Sequence, residues 1–346
     1  MLNCHKSTDK GQNRSTSRAF LADLHALAPR LPTLVFHLTF SIITPSYNQL
    51  DWLRLCVASI RDQFGPDSPL CVEHIIQDAG TPSIEEFARE VGANFYREGA
   101  LVFSSPESSD NTRHHHISIH CESDGGMYDA VNRGLRRASG QICAYLNCDE
   151  QYLPGALART IAWFDSHPDI DLLFADALLL DGEGHGLSYR RTVLPDRWHT
   201  RLSHLNTLTC STFFRRSIIE RNILFPADRK IIGDAVWINQ LQECGTRMRC
   251  LNSPTSTFTL TGSNLSNLDH KGELELAQWN RSDDAPPNWL RKPVISWHRL
   301  KKALAGAYLR RSLEYQIYTL DQPDCRTLFH STRLATNWPQ IKPSAS

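Results

Sequence analysis

Acidic, amide and hydroxyl side chains recur just beyond apolar runs in this 346-residue chain. Thr44-Pro45-Ser46-Tyr47-Asn48 follows one run, Asp78-Ala79-Gly80-Thr81 a second, and Asn147-Cys148-Asp149-Glu150 a third. A fourth group, Glu122-Ser123-Asp124-Gly125-Gly126, precedes a helical pattern. In an open α/β sheet, ligands bind beyond the carboxyl ends of the strands. If the apolar runs are neighbouring strands, all four groups meet in one crevice. Carboxylates gathered there repel one another unless a cation or a ligand's donors compensate. A hard divalent metal holding a phosphorylated ligand would do so.

The elements that must position these groups follow from periodicity. Leu34 to Thr44 is apolar and β-branched, which predicts a buried strand ended by Pro45. Leu50 to Phe64 has helical spacing, Val72 to Gln77 reads as a strand, and Ser83 to Val91 as a helix. That alternation predicts a mostly parallel sheet flanked by helices. Further on, Met127 to Ala138 predicts a helix, Ile142 to Leu146 a strand, Pro154 to His167 a helix and Asp171 to Leu180 a strand. Gly182 to Gly186 reads as a hairpin turn, because no helix opens after it. Thr212 to Phe214 is expected in a strand and Asp234 to Cys244 in a helix.

Residues 99–120 break the rhythm and read as a long loop. They carry His114-His115-His116 and His120. Consecutive histidines cannot all face one ion, so a solvated loop is the reading and zinc is not. Residues 1–38 form a polar extension, disordered or helical; 39–265 are one α/β domain; 266–346 are a C-terminal helical appendage with a basic helical segment from Arg299 to Tyr318.

Composition limits the function. Lys+Arg and Asp+Glu both number 37, so the net charge is zero, which argues against nucleic acid as a partner. Ten cysteines include no C-x-x-C pair, so buried free thiols in a reducing compartment are expected. No run of about 18 apolar residues is present, and Met1 to Arg18 lacks an apolar h-region. A cytoplasmic protein is the expectation. The basic segment 299–311 either packs on the domain or touches the inner face of a membrane.

The motifs together resemble family 2 glycosyltransferases with the GT-A fold. Ser41-Ile-Ile-Thr-Pro-Ser-Tyr-Asn-Gln49 resembles that family's first strand and loop. Ser123-Asp124-Gly-Gly-Met-Tyr-Asp-Ala-Val-Asn132-Arg-Gly134, continuing to Leu146-Asn-Cys-Asp-Glu150, resembles its central block, and Gly233-Asp234-Ala-Val-Trp237 its later acidic motif. The resemblance spans about residues 39 to 265. It implies inverting transfer of a sugar from a nucleotide-sugar donor to a saccharide or lipid-linked saccharide acceptor, in glycan or polysaccharide synthesis. It implies that Pro45, Tyr47 and Asn48 frame the nucleotide, with the Tyr47 ring offered to the base. Asp78 would accept from a uracil or thymine imide, which implies a UDP- or dTDP-linked donor. Asp124 would lie near the nucleoside, Asn132 and Arg133 on the following helix, with Arg133 toward a phosphate. Asp149 would bind Mg²⁺ or Mn²⁺, and Asp234 would deprotonate the acceptor.

This chain departs from the family at two places. Asn147 and Glu150 flank Asp149 where the family is aspartate-rich, and Asp78-Ala79-Gly80 stands where Asp-Gly-Gly is usual. A non-catalytic nucleotide-sugar binder is therefore one rival. A nucleotidyltransferase is another, though Pro45-Ser46-Tyr47-Asn48 stands where its Gly-rich basic loop would be.

Overall fold

The computed structural model describes residues 39–65, 68, 70–105, 114–262, 269–281 and 285–339. The expected extension 1–38, and with it the start of the predicted first strand, lies outside the described residues.

The strands run in chain order as β1 (Phe40–Ser46), β2 (Val72–Asp78), β3 (Asn94–Arg97), β4 (Ala100–Phe103), β5 (His115–Cys121), β6 (Ile142–Tyr145) and β7 (Glu150–Tyr152). They continue with β8 (Leu172–Asp181), β9 (Gly186–Arg190), β10 (Thr212–Arg215), β11 (Met248–Leu260), β12 (Arg311–Thr319) and β13 (Gln322–Leu334). The first eleven form one sheet in the order β4-β3-β5-β2-β1-β6-β10-β8-β11-β7, with β9 paired to β8. β5, β2, β1 and β6 are consecutive and parallel. The predicted strands are thus neighbours, and their polar ends share one edge.

The helices bury apolar faces on both sides of this sheet. Helix Leu50–Arg61 covers one side with Leu53, Cys56, Val57 and Ile60, against Ile42, Val72 and Ile76. Helix Met127–Arg137 covers the other, Val131 and Leu135 meeting Ile43 and Cys143. Gly134 is required there, since a Cβ would come within 2.5 Å of the Ile43 side chain. Gly140 is required too: its Cβ would meet the Phe40 backbone at 2.5 Å.

Pro45 does not end β1, which runs on to Ser46 and pairs with β2 at Pro45↔Gln77 and Ser46↔Asp78. A proline is tolerated because β6 accompanies β1 only as far as Ile43↔Tyr145, leaving Pro45 with a strand on one side alone. The 99–120 loop is corrected more deeply. His115 and His116 begin β5, which inserts between β2 and β3. His115 is buried and stacks on buried His74 at 5.5 Å; His120 stacks on Tyr96 at 4.5 Å. The β5 residues alternate apolar and polar, and the serines and histidines masked that period. Burial holds His74 down to about 3 and lowers His115 as well, so both rings are neutral.

Beyond β11 come helices Asp269–Trp279 and Arg291–Leu304. The predicted helix to Tyr318 stops at Leu304, and Gly306 turns the chain at φ +68. β12 and β13 then form an antiparallel hairpin. Tyr315, Ile317 and Leu334 of this hairpin bury against Leu178, Leu180 and Tyr189. The hairpin is also fastened to the sheet edge. The Gln151 amide donates to the Tyr318 carbonyl and accepts from the Tyr318 N–H, each at 2.9 Å. Arg326 pairs with Asp62 and donates to the Tyr152 carbonyl.

Candidate functional site

The shared carboxyl edge opens into a cleft of about 1110 Å³. Pro45 and Ser46 at the end of β1 and Tyr47 beyond it line the cleft, as do Asp124 to Met127 beyond β5 and Asn147 to Asp149 beyond β6. Asp234 faces the same cleft from helix Gly233–Glu243. The sequence placed these segments together, and the parallel order β5-β2-β1-β6 is why they meet.

Each turn is held by its own short polar network. The Asp78 carboxylate is fully buried and accepts from Gly80 N–H (2.9 Å), Thr81 N–H (2.7 Å) and the Thr81 hydroxyl (2.6 Å). The Thr81 oxygen in turn accepts from Asn48 N–H at 2.8 Å, with Asn48 at φ +54. Asp78 therefore does not line the cleft. It braces the turn from which Tyr47 projects, and the Tyr47 ring is 62% exposed. The Asp124 carboxylate accepts from Gly126 N–H at 2.8 Å, which sets the entry to helix Met127–Arg137.

Asn132 and Arg133 are also re-sited. The Asn132 amide is buried and exchanges both its bonds with the backbone of Phe225, at 2.7 and 2.9 Å. Arg133 donates to the Ser123 carbonyl and pairs with Asp129, each at 2.9 Å. Neither lines the cleft. On a helix only one stripe faces the strand ends, and these two residues fall outside it.

The carboxyl groups differ in environment. Asp149 lines the cleft, and burial raises its pKa. Glu150 is buried behind it, raised further by burial and by the Asp149 charge. One Glu150 oxygen accepts from Asn147 N–H at 2.7 Å, and the other has no hydrogen-bond partner. Among the described residues no three His, Cys, Asp or Glu side chains gather as a metal cage. Asp149 alone presents a hard oxygen to the cleft, the donor type Mg²⁺ or Mn²⁺ takes, and an ion bound there would need its other ligands from outside these side chains.

Asp234 sits in the first turn of its helix rather than at the cap, a place held by Ile232. Its carboxylate accepts from Ala235 N–H at 2.8 Å. Burial pushes its pKa up to about 6, with Ala235 N–H and the Tyr128 hydroxyl holding it back. Desolvation thus outweighs the helix end, which alone would favour the ionised form. Asp234 N–H also donates to the Tyr128 hydroxyl at 3.1 Å. Gly233 makes that approach possible, because a Cβ there would lie 2.5 Å from the Tyr128 ring. Tyr128 stacks on Phe225 at 5.5 Å, and Phe225 on Trp237 at 4.2 Å. An aromatic floor therefore supports the carboxylate.

The rest of the cleft was not foreseen. Thr200, Ser203, His204 and Leu205 form one wall, and Ile231, Ile232 and Leu276 another. Lys230 adds a cation to the lining. Tyr128 stood inside the central motif, yet no local signal tied it to Asp234, 106 residues away. Lys230 and His204 lie in stretches without any periodic pattern.

Residues 41–221 match the family described as Glycosyl transferase family 2. A PGL/p-HBAD biosynthesis glycosyltransferase of Mycobacterium bovis (strain BCG / Pasteur 1173P2) is 30% identical over 141 residues, 40% of this chain and 47% of that protein. The minor teichoic acid biosynthesis protein GgaB of Bacillus subtilis (strain 168) is 25% identical over 210 residues, 59% of this chain and 21% of its own length. The chain thus spans about half or less of these relatives. Among solved structures, mannosyltransferase PcManGT from Pyrobaculum calidifontis, in complex with GDP-Man and Mn²⁺, aligns at a TM-score of 0.50 with 16% identity. That alignment covers 84% of this chain and 81% of that one.

Proposed function

The chain belongs to glycosyl transferase family 2 and has the mixed α/β sheet of the GT-A fold; on that premise we propose that it moves a sugar from a nucleoside-diphosphate sugar to an acceptor hydroxyl in glycan or polysaccharide synthesis. The observation that carries this reading is one cleft lined both by Asp149, beyond a parallel strand, and by Asp234, on an aromatic floor. The relatives named for PGL/p-HBAD biosynthesis and for minor teichoic acid biosynthesis support it.

Asp234 acts as the base. The acceptor oxygen attacks the anomeric carbon and its proton passes to the Asp234 carboxylate. The bond from that carbon to the diphosphate oxygen breaks on the opposite side, so configuration inverts. With a pKa of about 6, Asp234 is mostly ionised at neutral pH and still basic enough to take a proton. Asp149 would hold Mg²⁺ or Mn²⁺, and such an ion would supply positive charge to neutralise the leaving diphosphate. Lys230 adds positive charge to the same cleft. Tyr47, braced through Asn48, Thr81 and Asp78, offers its ring to the base. Arg133 holds the Ser123–Gly126 loop in place through the Ser123 carbonyl. The donor base is uracil or thymine by family resemblance. The apolar lining of Leu205, Ile231, Ile232, Phe258 and Leu276 supports an acceptor whose saccharide is carried on an apolar group.

The test is thermal shift with UDP, dTDP, GDP and CDP, with and without Mn²⁺, followed by assay of nucleotide release from the matching sugar nucleotide. A ligand at about 100 times its Kd stabilises by about 2.7 kcal/mol, which is readily measured. UDP or dTDP is expected to stabilise the chain with Mn²⁺ and to be released from its sugar. Binding without release would favour the non-catalytic binder. Pyrophosphate release from a nucleoside triphosphate would favour the nucleotidyltransferase.

A further inference from the structure

Helix Arg291–Leu304 is packed on one side only. His298 is buried and stacks on His199 at 3.7 Å. Arg291 donates to the Leu202 carbonyl at 3.1 Å, and Lys301 to the Leu194 carbonyl at 3.3 Å. At 100° per residue, Pro293, Trp297, Leu300 and Leu304 lie together on another side. That side is open, with Trp297 56% and Leu304 79% exposed. Trp289 before the helix and Leu309 after it are also bare, at 74% and 65%. Trp198, on helix Arg197–Leu202, joins Pro293, Val294 and Trp297 around a shallow hollow of about 440 Å³ that Asp196 and Arg197 also line, so the apolar surface continues across two helices with one acid and one base beside it. Soluble proteins seldom leave a contiguous apolar surface of this kind without a partner.

Charge identifies the partner. Residues 288–311 carry seven basic side chains (Arg291, Lys292, Arg299, Lys301, Lys302, Arg310 and Arg311) and no Asp or Glu, in a chain whose net charge is zero. Lys292, Arg299 and Arg310 are exposed around the apolar stripe. Two copies of this face would bring like charge against like charge, which opposes self-association. An anionic phospholipid surface matches both features: headgroups meet the Lys and Arg side chains, while Trp and Leu enter the boundary above the acyl chains. Trp and Tyr favour that depth, their rings apolar and their N–H or O–H groups wet.

We propose that the face formed by Trp198, Pro293, Trp297, Leu300 and Leu304 docks the protein peripherally on an anionic bilayer. No helix among the described residues is long and apolar enough to cross a membrane, so the contact is interfacial. Helix Arg197–Leu202 joins this face to the cleft, contributing Trp198 to the one and Thr200 to the other. A docked protein therefore holds its cleft about one helix width, roughly 10 Å, from the lipid. That consequence rests on the transferase reading and suits an acceptor anchored in the bilayer; the docking itself does not depend on it.

The test is co-sedimentation of the full chain with vesicles of phosphatidylcholine alone and with about one-third phosphatidylglycerol. Binding is expected to be at least about tenfold tighter to the anionic vesicles and to weaken in high salt. Trp297→Ser with Leu304→Ser, and separately Lys292→Glu with Arg299→Glu, should each lower it about tenfold or more, with melting temperature and nucleotide binding in solution unchanged. Equal binding to both vesicles, or variants that sediment like the parent, would overturn the proposal. So would a concentration-dependent dimer that Trp297→Ser abolishes, since the occupant would then be a second copy. Vesicle binding in a protein that shows no nucleotide release would leave the docking intact and count against the transferase reading alone.

Discussion

The two halves of the cleft are built in different ways. The half beyond β1, β2, β5 and β6 is a row of short turns held by local bonds: Asp78 to Gly80 and Thr81, Thr81 to Asn48 of the neighbouring turn, Asp124 to Gly126, Glu150 to Asn147. The half around Asp234 is assembled from distant segments. Tyr128, Phe225, Asp234, Leu205 and Leu276 meet there only because the fold brings them together. The first half is prearranged by the sheet, so its geometry survives the loss of one side chain. The second depends on packing, so changes beneath Asp234 should reach the chemistry.

Substitutions can break this contrast, beginning with the largest effect. Asp149→Asn removes the cleft carboxylate proposed to hold the metal but leaves its turn bonded through Glu150 and Asn147. We expect normal melting and a loss of Mn²⁺-dependent nucleotide affinity and turnover of about 10³-fold. Unchanged affinity by calorimetry with Mn²⁺ would remove Asp149 from the site.

Asp234→Asn comes next, with turnover down about a hundredfold or more and donor affinity within a few-fold. Burial raises the Asp234 pKa to about 6, above its unfolded value. Its stabilising contribution is therefore complete below the unfolded pKa and lost as pH rises through about 6. The Asn variant should melt no lower than the parent at pH 8. A variant that keeps most of its turnover would place the base elsewhere.

Tyr128→Phe tests the packed half directly. The Tyr128 hydroxyl lowers the Asp234 pKa, so without it the acid limb of the pH–rate profile should move to higher pH, with turnover at pH 7 down several-fold, roughly 3- to 10-fold. A profile that keeps its acid limb would make Tyr128 a packing residue only.

The smallest effect on chemistry is expected in the sheet itself. His74 and His115 stay neutral because burial lowers both pKa values. An unfolded chain binds these protons below about pH 6.5, so stability falls as pH drops from there toward the folded value of about 3 for His74. His115→Phe should flatten the loss of melting temperature between pH 7 and 5, while turnover at pH 7 stays within about twofold, since His115 does not line the cleft. An unchanged slope would show that other groups carry the acid sensitivity.

The same contrast explains what could be read in advance. β1, β2, β6 and the helices between them were legible because each is a local pattern, and parallel order then dictates where their ends lie. Asp149 and Asp124 line the cleft for that reason, whereas Asp234 was marked only by its likeness to the family's later acidic motif. Asp78, Asn132 and Arg133 carried the right residue types, but the type does not reveal that a carboxylate, an amide or a guanidinium is taken up by nearby backbone. β5 was hidden by its serines and histidines. β12 and β13 were hidden by the basic run before them, whose spacing continued past the turn at Gly306.

The fastening of that hairpin has a consequence for synthesis. Gln151, one residue past Glu150 on the strand that follows Asp149, bonds Tyr318, and Arg326 reaches back to Asp62 and Tyr152. A ribosome that has just finished the family-matched stretch at residue 221 has made every strand-end turn of the donor side, but not the segment that ties down this loop. Folding of the nascent chain must wait about a hundred residues for that closure, and such long-range contacts form slowly. A message cut short before the hairpin codon for Tyr318 should therefore yield a product with its motifs present and its donor loop untethered.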